Sequence, residues 1–408
     1  MFTMSRSVLA VCALGLVALL ATACSSPEAS MGGETVGTWT LTGPMIEGRA
    51  EHASVLLADG RVLVVGGCAR YQGTVAGFGT DCPALDTAEI YDPITGVWTP
   101  AGTMSEARRN PAVAQLRDGR VLVAGGCSGP RDYGCTSSAE LFDPAGGTWT
   151  ATSDMGRPRA SLGGGSTVLL PSGKVLVADG YEPDYGTAAP SGEVYDPASG
   201  TWAFTGPLVM PRYSASRAVL LPSGQVLLVG GAVRSPTSYG TNFTAQAELY
   251  DPATNLWEAT GVSSSARTRH TLTLLPTGEV LMAGGRTEGF DEPETEEAEL
   301  YSPATGTWRA APAMHFRRRE ARAVLLPSGR VLVVGNWTRC PKANECDPYM
   351  APNAELYDPG LDSWLLAPVP PRYVEDASAL VLLPSGQALL AGGLAQVFGV
   401  RSAQLFQE

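Results

Sequence analysis

The sequence predicts an all-β protein, a ring of seven four-stranded antiparallel sheets, and three observations carry that prediction. First, the stretch from Ala247 to Trp257, Ala-Glu-Leu-Tyr-Asp-Pro-Ala-Thr-Asn-Leu-Trp, recurs along the chain in close copies. Second, a block of the type Val-Leu-Leu-Pro-Ser-Gly-Arg-Val-Leu-Val-Val-Gly-Gly recurs in alternation with it. Third, the repeat tryptophans Trp39, Trp98, Trp149, Trp202, Trp257, Trp308 and Trp364 fall at a regular spacing of about 54 residues, which marks one supersecondary unit stacked many times.

One unit, residues 203–257, shows what each element is for. Ala215–Leu221 is an apolar-rich run that ends at Pro222-Ser223-Gly224, and Val226–Val229 is a second run that ends at Gly230-Gly231. Glu248-Leu249-Tyr250 leads through Asp251-Pro252-Ala253-Thr254-Asn255 into Leu256-Trp257. Short apolar runs bounded by Pro, Gly, Asn and Asp read as strands joined by turns. In Pro-Ser-Gly, proline pre-sets φ and glycine supplies the left-handed residue that closes a hairpin with a bulge. In Asp-Pro, the aspartate side chain caps its own turn.

A four-stranded sheet that is apolar on both faces cannot bury them alone, so neighbouring units must stack. Radial stacking gives a β-propeller, whose strand edges stay short and protected. The repeat Tyr and Trp are expected to fill the space between blades. The two repeat series are out of phase: Thr38-Trp39 precedes any Gly-Gly strand, and the last unit ends at Ala403-Gln404-Leu405-Phe406 with no Trp strand after it. The simplest closure gives the last blade three strands from residues 375–406 and its fourth from residues 35–41.

With its paired glycines (Gly66-Gly67, Gly125-Gly126, Gly230-Gly231, Gly284-Gly285, Gly392-Gly393), followed by Tyr and then Trp, the chain resembles the kelch-repeat family over roughly residues 35–408. The resemblance implies a seven-bladed kelch-type β-propeller. Two units depart from it, with Asp179-Gly180 and Gly335-Asn336 at the glycine pair.

One face of such a ring carries the tight, uniform hairpins. The other carries the loops after each Gly-Gly strand and after each Trp strand, which differ from blade to blade; binding usually resides on such loops. The approach to each first strand on that face is rich in arginine, and Arg49, Arg108, Arg159, Arg212, Arg269, Arg318 and Arg372 are read as a ring of guanidinium groups around the channel. Arginine forks suit carboxylates and other planar anions. Tyr133, Tyr185, Tyr239 and Trp337 add aromatic contact surface suited to peptide or glycan. Kelch proteins often bind acidic peptides or sugars on such a face, and the resemblance extends that expectation here.

The N-terminus reads as an export signal: Arg6, an apolar stretch over Val8–Leu20, then small residues. Leu20-Ala21-Thr22-Ala23-Cys24 resembles a bacterial lipoprotein box, with Cys24 the lipidated residue. The organisation expected is a signal peptide over 1–23, a flexible tether over 24–34 and the propeller over 35–408. The localisation is then the bacterial cell envelope, lipid-anchored through Cys24 at the periplasmic or surface face of the outer membrane, with simple cleavage and secretion as the alternative. Six cysteines remain, placed in three variable loops, and local pairing as Cys68–Cys82, Cys127–Cys135 and Cys340–Cys346 is expected. Such bridges form in an oxidising compartment.

Net charge is −12, which argues against a nucleic-acid partner. The chain holds three histidines, His52, His270 and His315. Some kelch propellers resemble galactose oxidase, whose copper site needs two His, two Tyr and a Cys crosslinked to one Tyr. Here the cysteines have partners in their own loops, and His52 and His270 belong to non-adjacent blades. Others are sialic acid mutarotases, which Glu320 and Glu375 with nearby arginines could imitate. No catalytic residue, metal site or cofactor is assigned. The expectation is a monomeric module that binds a protein or glycan at the cell envelope, with a sugar-directed envelope enzyme as the alternative.

Overall fold

In the computed structural model, the described residues are 35–69, 82–129, 134–159, 165–182, 187–212, 215–234, 241–287, 294–335, 354–372, 379–395 and 398–408. Residues 35–408 form one compact unit, and the described residues hold strands and turns with no helix. Seven sheets repeat the pattern inner strand, second strand, third strand, outer strand. Blade 4 is representative: Arg217–Leu220, Val226–Val229, Ala247–Asp251 and Leu256–Ala259, all antiparallel. Blade 3 is broader, with a ten-residue third strand, Thr187–Asp196, a twelve-residue outer strand, Thr201–Arg212, and the short Tyr181–Glu182 paired alongside.

The hairpins obey the turn chemistry read from the sequence. Gly224 has φ +89°, its N–H donates to the Leu221 carbonyl at 2.9 Å, and Leu221 N–H donates to the Gln225 carbonyl at 2.8 Å. In the Asp-Pro turn, Asp251 Oδ1 accepts from the Ala253 N–H at 2.8 Å. Each second strand is apolar on both faces and wholly buried, as in Val62–Val65 and Val331–Val334, because a neighbouring blade covers each side.

The core lies between blades. Each repeat Trp packs on its cross-strand aromatic at 4.9–5.2 Å between ring centroids. Its indole N–H then reaches back to the preceding blade, as from Trp98 to the Gly43 carbonyl at 2.9 Å and from Trp149 to the Ala101 carbonyl at 2.8 Å. The ring closes between the two ends of the propeller. Thr38–Leu41 pairs with Ala403–Gln407 as the outer strand of blade 7. Thr42 N–H to the Ala403 carbonyl (3.1 Å) and Met45 N–H to the Arg401 carbonyl (2.8 Å) extend the seam.

The glycine pairs serve close approach between blades. The first glycine of four of the five pairs leaves no room for a Cβ: one at Gly66 would stand 2.4 Å from the Arg108 carbonyl oxygen, and one at Gly230 would stand 2.5 Å from that of Arg267. The second glycine donates its N–H to the same arginine's carbonyl in the next blade, at 2.7 Å from Gly67 to Arg108 and 3.0 Å from Gly231 to Arg267. Gly393 does the same to Arg49 at 2.9 Å across the closing seam.

Candidate functional site

The approach arginines turn inward. Arg49, Arg108, Arg159, Arg212 and Arg318 are 0% exposed, and so is Arg267 of blade 5. Each guanidinium meets a buried glutamate on the third strand of its own blade: Glu89 at 2.6 Å, Glu140 at 3.2 Å, Glu193 at 2.9 Å, Glu248 at 2.6 Å, Glu299 at 2.7 Å and Glu355 at 2.9 Å. Its Nη1 also reaches backbone carbonyls, as from Arg49 to Gly66 at 2.8 Å and Thr87 at 3.0 Å. The glutamate in turn caps free amides at the end of the preceding outer-strand segment: Glu248 accepts from the Val209 and Met210 N–H groups at 2.8 and 3.1 Å. These residues are therefore ties within and between blades. The expectation that they form a ring facing a ligand is corrected, because each guanidinium is wholly buried against its glutamate and closed off from a ligand.

Two of the seven predicted arginines differ. Arg269 is not the buried residue of blade 5. It stands two residues on, 44% exposed, paired with Glu320 of the next blade. Arg372 of blade 7 is exposed, and the third strand there carries Gln404 where the other blades have glutamate. The Gln404 side chain bonds the Arg372 backbone, accepting from its N–H and donating to its carbonyl, both at 2.8 Å. A neutral amide cannot compensate a buried guanidinium, so the arginine stays in water. Tyr133, Tyr185, Tyr239, Trp337, Cys24, Glu375 and the Cys340–Cys346 pair lie outside the described residues. Cys68–Cys82 and Cys127–Cys135 are formed, each within one loop of the variable face.

Around the channel mouth, Glu51, Asn110, Ala215, Arg269 and Glu320 occupy one repeat position, and all have φ between +47° and +59°. Consecutive members are linked by backbone hydrogen bonds: Asn110 N–H to Glu51 at 2.8 Å, Arg269 N–H to Ala215 at 3.1 Å, and Glu320 N–H to Arg269 at 3.2 Å. Inside this belt is a cavity of about 300 Å³, lined by the starts of the innermost strands of all seven blades. Arg217 and Arg322 line it from blades 4 and 6, and His52 from blade 1. Sequence reasoning missed both arginines. Their signal was an arginine opening an inner strand where Ala53, Ala112, Thr271 and Ala379 open others.

His52 and His270 are buried, and the His52 ring faces the backbone carbonyls of Ala391 and Arg49. Each imidazole edge rests on the first glycine of the preceding blade's pair, Gly392 and Gly230 respectively. Burial, reinforced by Arg49 and Arg322, holds the His52 pKa down to about 3. Burial, with Arg217, Arg267 and Arg212, lowers that of His270 as well. Where blade 3 has Asp179 in place of that glycine, the next blade has the small Ser216, whose hydroxyl donates to the Asp179 carboxylate. His315 contacts buried Glu355 through Nδ1 at 2.7 Å.

The fold and site define a β-propeller whose repeat-specific polar residues hold the blades together. The Kelch motif model matches residues 49–105 and 108–156. Kelch-like protein 23 of Pongo abelii is 27% identical over 232 residues, which is 57% of this chain and 36% of that protein. The chain thus spans about a third of that relative's length. Galactose oxidase of Gibberella zeae is 26% identical over 259 residues, 59% of this chain and 38% of that one. A fungal alcohol oxidase of the AA5 family, solved in complex with copper, superposes with a TM-score of 0.69 at 21% identity, covering 91% of this chain and 76% of the other, a likeness of fold alone. Together the motif and the kelch-like relative support a kelch-repeat propeller.

Among the described residues, no three of His, Cys, Asp and Glu stand together as metal ligands. His52 and His270 sit in separate blades, and Cys68, Cys82, Cys127 and Cys135 are in disulfides.

Proposed function

We propose that the protein is an interaction module of the bacterial cell envelope, tethered by lipid on Cys24, that binds a protein or glycan through the variable face around the channel. The observation that carries the reading is the contrast between the two faces. Short uniform turns close one face. The other carries loops of differing length and sequence, two of them braced by a disulfide within the loop. A braced loop loses less entropy when it meets a partner. The disulfides also favour an oxidising compartment, in keeping with the export signal. Exposed charge on this face is available for recognition, including Arg372 and Arg317, the latter 53% exposed beside Glu296.

The test is in-cell crosslinking of the full chain, with mass spectrometry of what is captured. Arg317→Glu with Arg372→Glu should abolish capture, while Arg61→Glu with Arg309→Glu, on the turn face, should leave it intact. Equal capture by both pairs would remove the face assignment. Labelling with a fatty-acid analogue, present in the parent and lost in Cys24→Ala, tests the anchor.

A further inference from the structure

We infer that the edge of the ring at the closing blade is a contact surface for a lipid bilayer, with the turn tips Ile94 and Leu361 entering its apolar margin on either side of the tether. This contact rests on the anchoring of Cys24 proposed above. It adds the orientation of the propeller, with the turn face toward the membrane and the variable face away from it.

The chain enters the propeller at this edge. In blade 7 Thr38 stands opposite Gln407, the register that Val97 and Asp92 hold in blade 1 on either side of the Asp-Pro turn. Val36 and Gly37 therefore lie where the other blades carry the turn between third and outer strands. Blade 6 packs on one side of blade 7, where Leu356 and Leu390 share a core cluster with Phe406, and blade 1 on the other, where Tyr91 shares one with Leu389. Ten residues lie between Cys24 and Thr35. A flexible chain of that length spans about 20 Å on average and at most about 40 Å. A lipid on Cys24 thus holds this edge of the ring, and not the opposite one, beside the bilayer.

The turn tips at this edge depart from the repeat. At the two positions after the turn proline, blades 2 to 5 carry Ala145-Gly146, Ala198-Ser199, Ala253-Thr254 and Ala304-Thr305. Blade 1 carries Ile94-Thr95 and blade 6 carries Gly360-Leu361. The two large apolar tips fall on the two blades beside the entry point. Ile94 is 94% exposed and Leu361 67%. The remaining exposed large apolar side chains among the described residues sit on outer strands or on segments between blades. Single exposed apolar residues are normal at a protein surface, so it is the placement of these two, more than their exposure, that marks a contact.

Both tips are held out on fixed turns. Asp92 Oδ1 accepts from the Ile94 N–H at 2.8 Å, and Asp358 Oδ1 accepts from those of Gly360 and Leu361 at 2.9 and 3.2 Å. Beside Leu361, the Asp362 carboxylate is paired with Arg309 at 3.3 Å, so the adjoining charge is balanced. Removing an exposed aliphatic side chain from water favours entry into an apolar medium, and a fixed turn has little backbone freedom left to lose. The tips belong to blades separated by blade 7. A broad apolar layer meets both at once, whereas a pocket on a folded partner would take one.

The experiment places the photocrosslinking residue p-benzoylphenylalanine in the full chain in cells, in place of Ile94 or Leu361, and in place of Ala198 or Ala253 as controls. Mass spectrometry then identifies the adducts. Lipid adducts should form at the first two positions about tenfold above the controls, since burial of one aliphatic side chain favours contact by about that factor. Leu361→Glu, at an exposed tip, should cut the yield at the Ile94 position several-fold. Equal lipid yield at all four positions, protein in place of lipid at the two tips, or an undiminished yield in Leu361→Glu would each overturn the bilayer contact. Fatty-acid labelling of Cys24 is read in the same cells. Labelled protein without lipid adducts at the tips leaves the anchor standing and refutes the contact, whereas unlabelled protein refutes both.

Discussion

Breaking one buried Arg–Glu tie should cost a large share of the domain's stability, and blade 4 shows how much. Arg212 and Glu248 are both 0% exposed and meet at 2.6 Å. Glu248→Ala leaves the guanidinium facing only the Gly230 and Gln246 carbonyls and strips the Val209 and Met210 amides of their acceptor. Removing one partner of a buried pair costs about 3–5 kcal/mol, against a whole-domain stability of about 5–15 kcal/mol. Urea unfolding followed by tryptophan fluorescence and circular dichroism reads the loss as a lower midpoint at unchanged slope. The double variant Arg212→Met with Glu248→Leu should recover most of it, because no uncompensated charge remains. Blade 7 provides the control. Arg372 holds the same repeat place with its side chain in water, so Arg372→Ala should change stability by no more than about 0.5 kcal/mol. If Glu248→Ala cost under about 1 kcal/mol, or Arg212→Ala and Arg372→Ala cost the same, the buried pairs would not be structural ties.

Three further outcomes follow from the geometry. Deleting residues 35–41 removes the outer strand of blade 7, the Trp39–Phe406 contact at 5.1 Å and the Trp39 bond to the Pro368 carbonyl at 2.9 Å; thermal melting should shift well below that of the intact chain, and coincident melts would refute the closure. The second concerns acid. His52 has a pKa near 3 when folded against an ordinary 6.5, so between those values only the unfolded chain takes up the proton and stability falls as pH falls. By pH 4.5 the loss from this group is about 3 kcal/mol. His52→Gln should flatten the acid limb of a stability-versus-pH series, and parallel limbs in parent and variant would sink the argument. Third, Cys68→Ala with Cys82→Ala opens a loop of sequence separation 14 and should lower the urea midpoint by the equivalent of up to about 3 kcal/mol; an unmoved midpoint would show the bridge to be idle.

Local chemistry is what the sequence exposes well. The Pro-Ser-Gly and Asp-Pro turns, the buried second strands and the tryptophan period are each set within a few residues, and the structure has them as read. The out-of-phase repeats even located the closing strand. The direction of the approach arginines was not legible in the same way. It depends on a glutamate 32 to 40 residues away on the third strand, and composition alone makes a repeated arginine look like a surface ring. The signal was present in the repeat itself, since Glu89, Glu140, Glu193, Glu248, Glu299 and Glu355 share one position and Gln404 breaks the series at the blade whose arginine is exposed.

That exception points to how such a protein divides its work. Seven similar blades need the same interior ties, so residues common to the repeats serve assembly: the glycine pair, the buried Arg–Glu pair, and the Tyr and Trp between blades. What differs among blades is released from that duty. Asp179 and Ser216 differ together, a carboxylate filling the place of a glycine and a small hydroxyl making room for it. Gln404 and Arg372 differ together, a lost charge answered by an arginine left outside. Arg217 and Arg322 differ from the small residues that open the other inner strands, and both line the channel cavity. In a ring built by repetition, a departure that another departure compensates is packing, and one that projects into open space is where recognition should be sought.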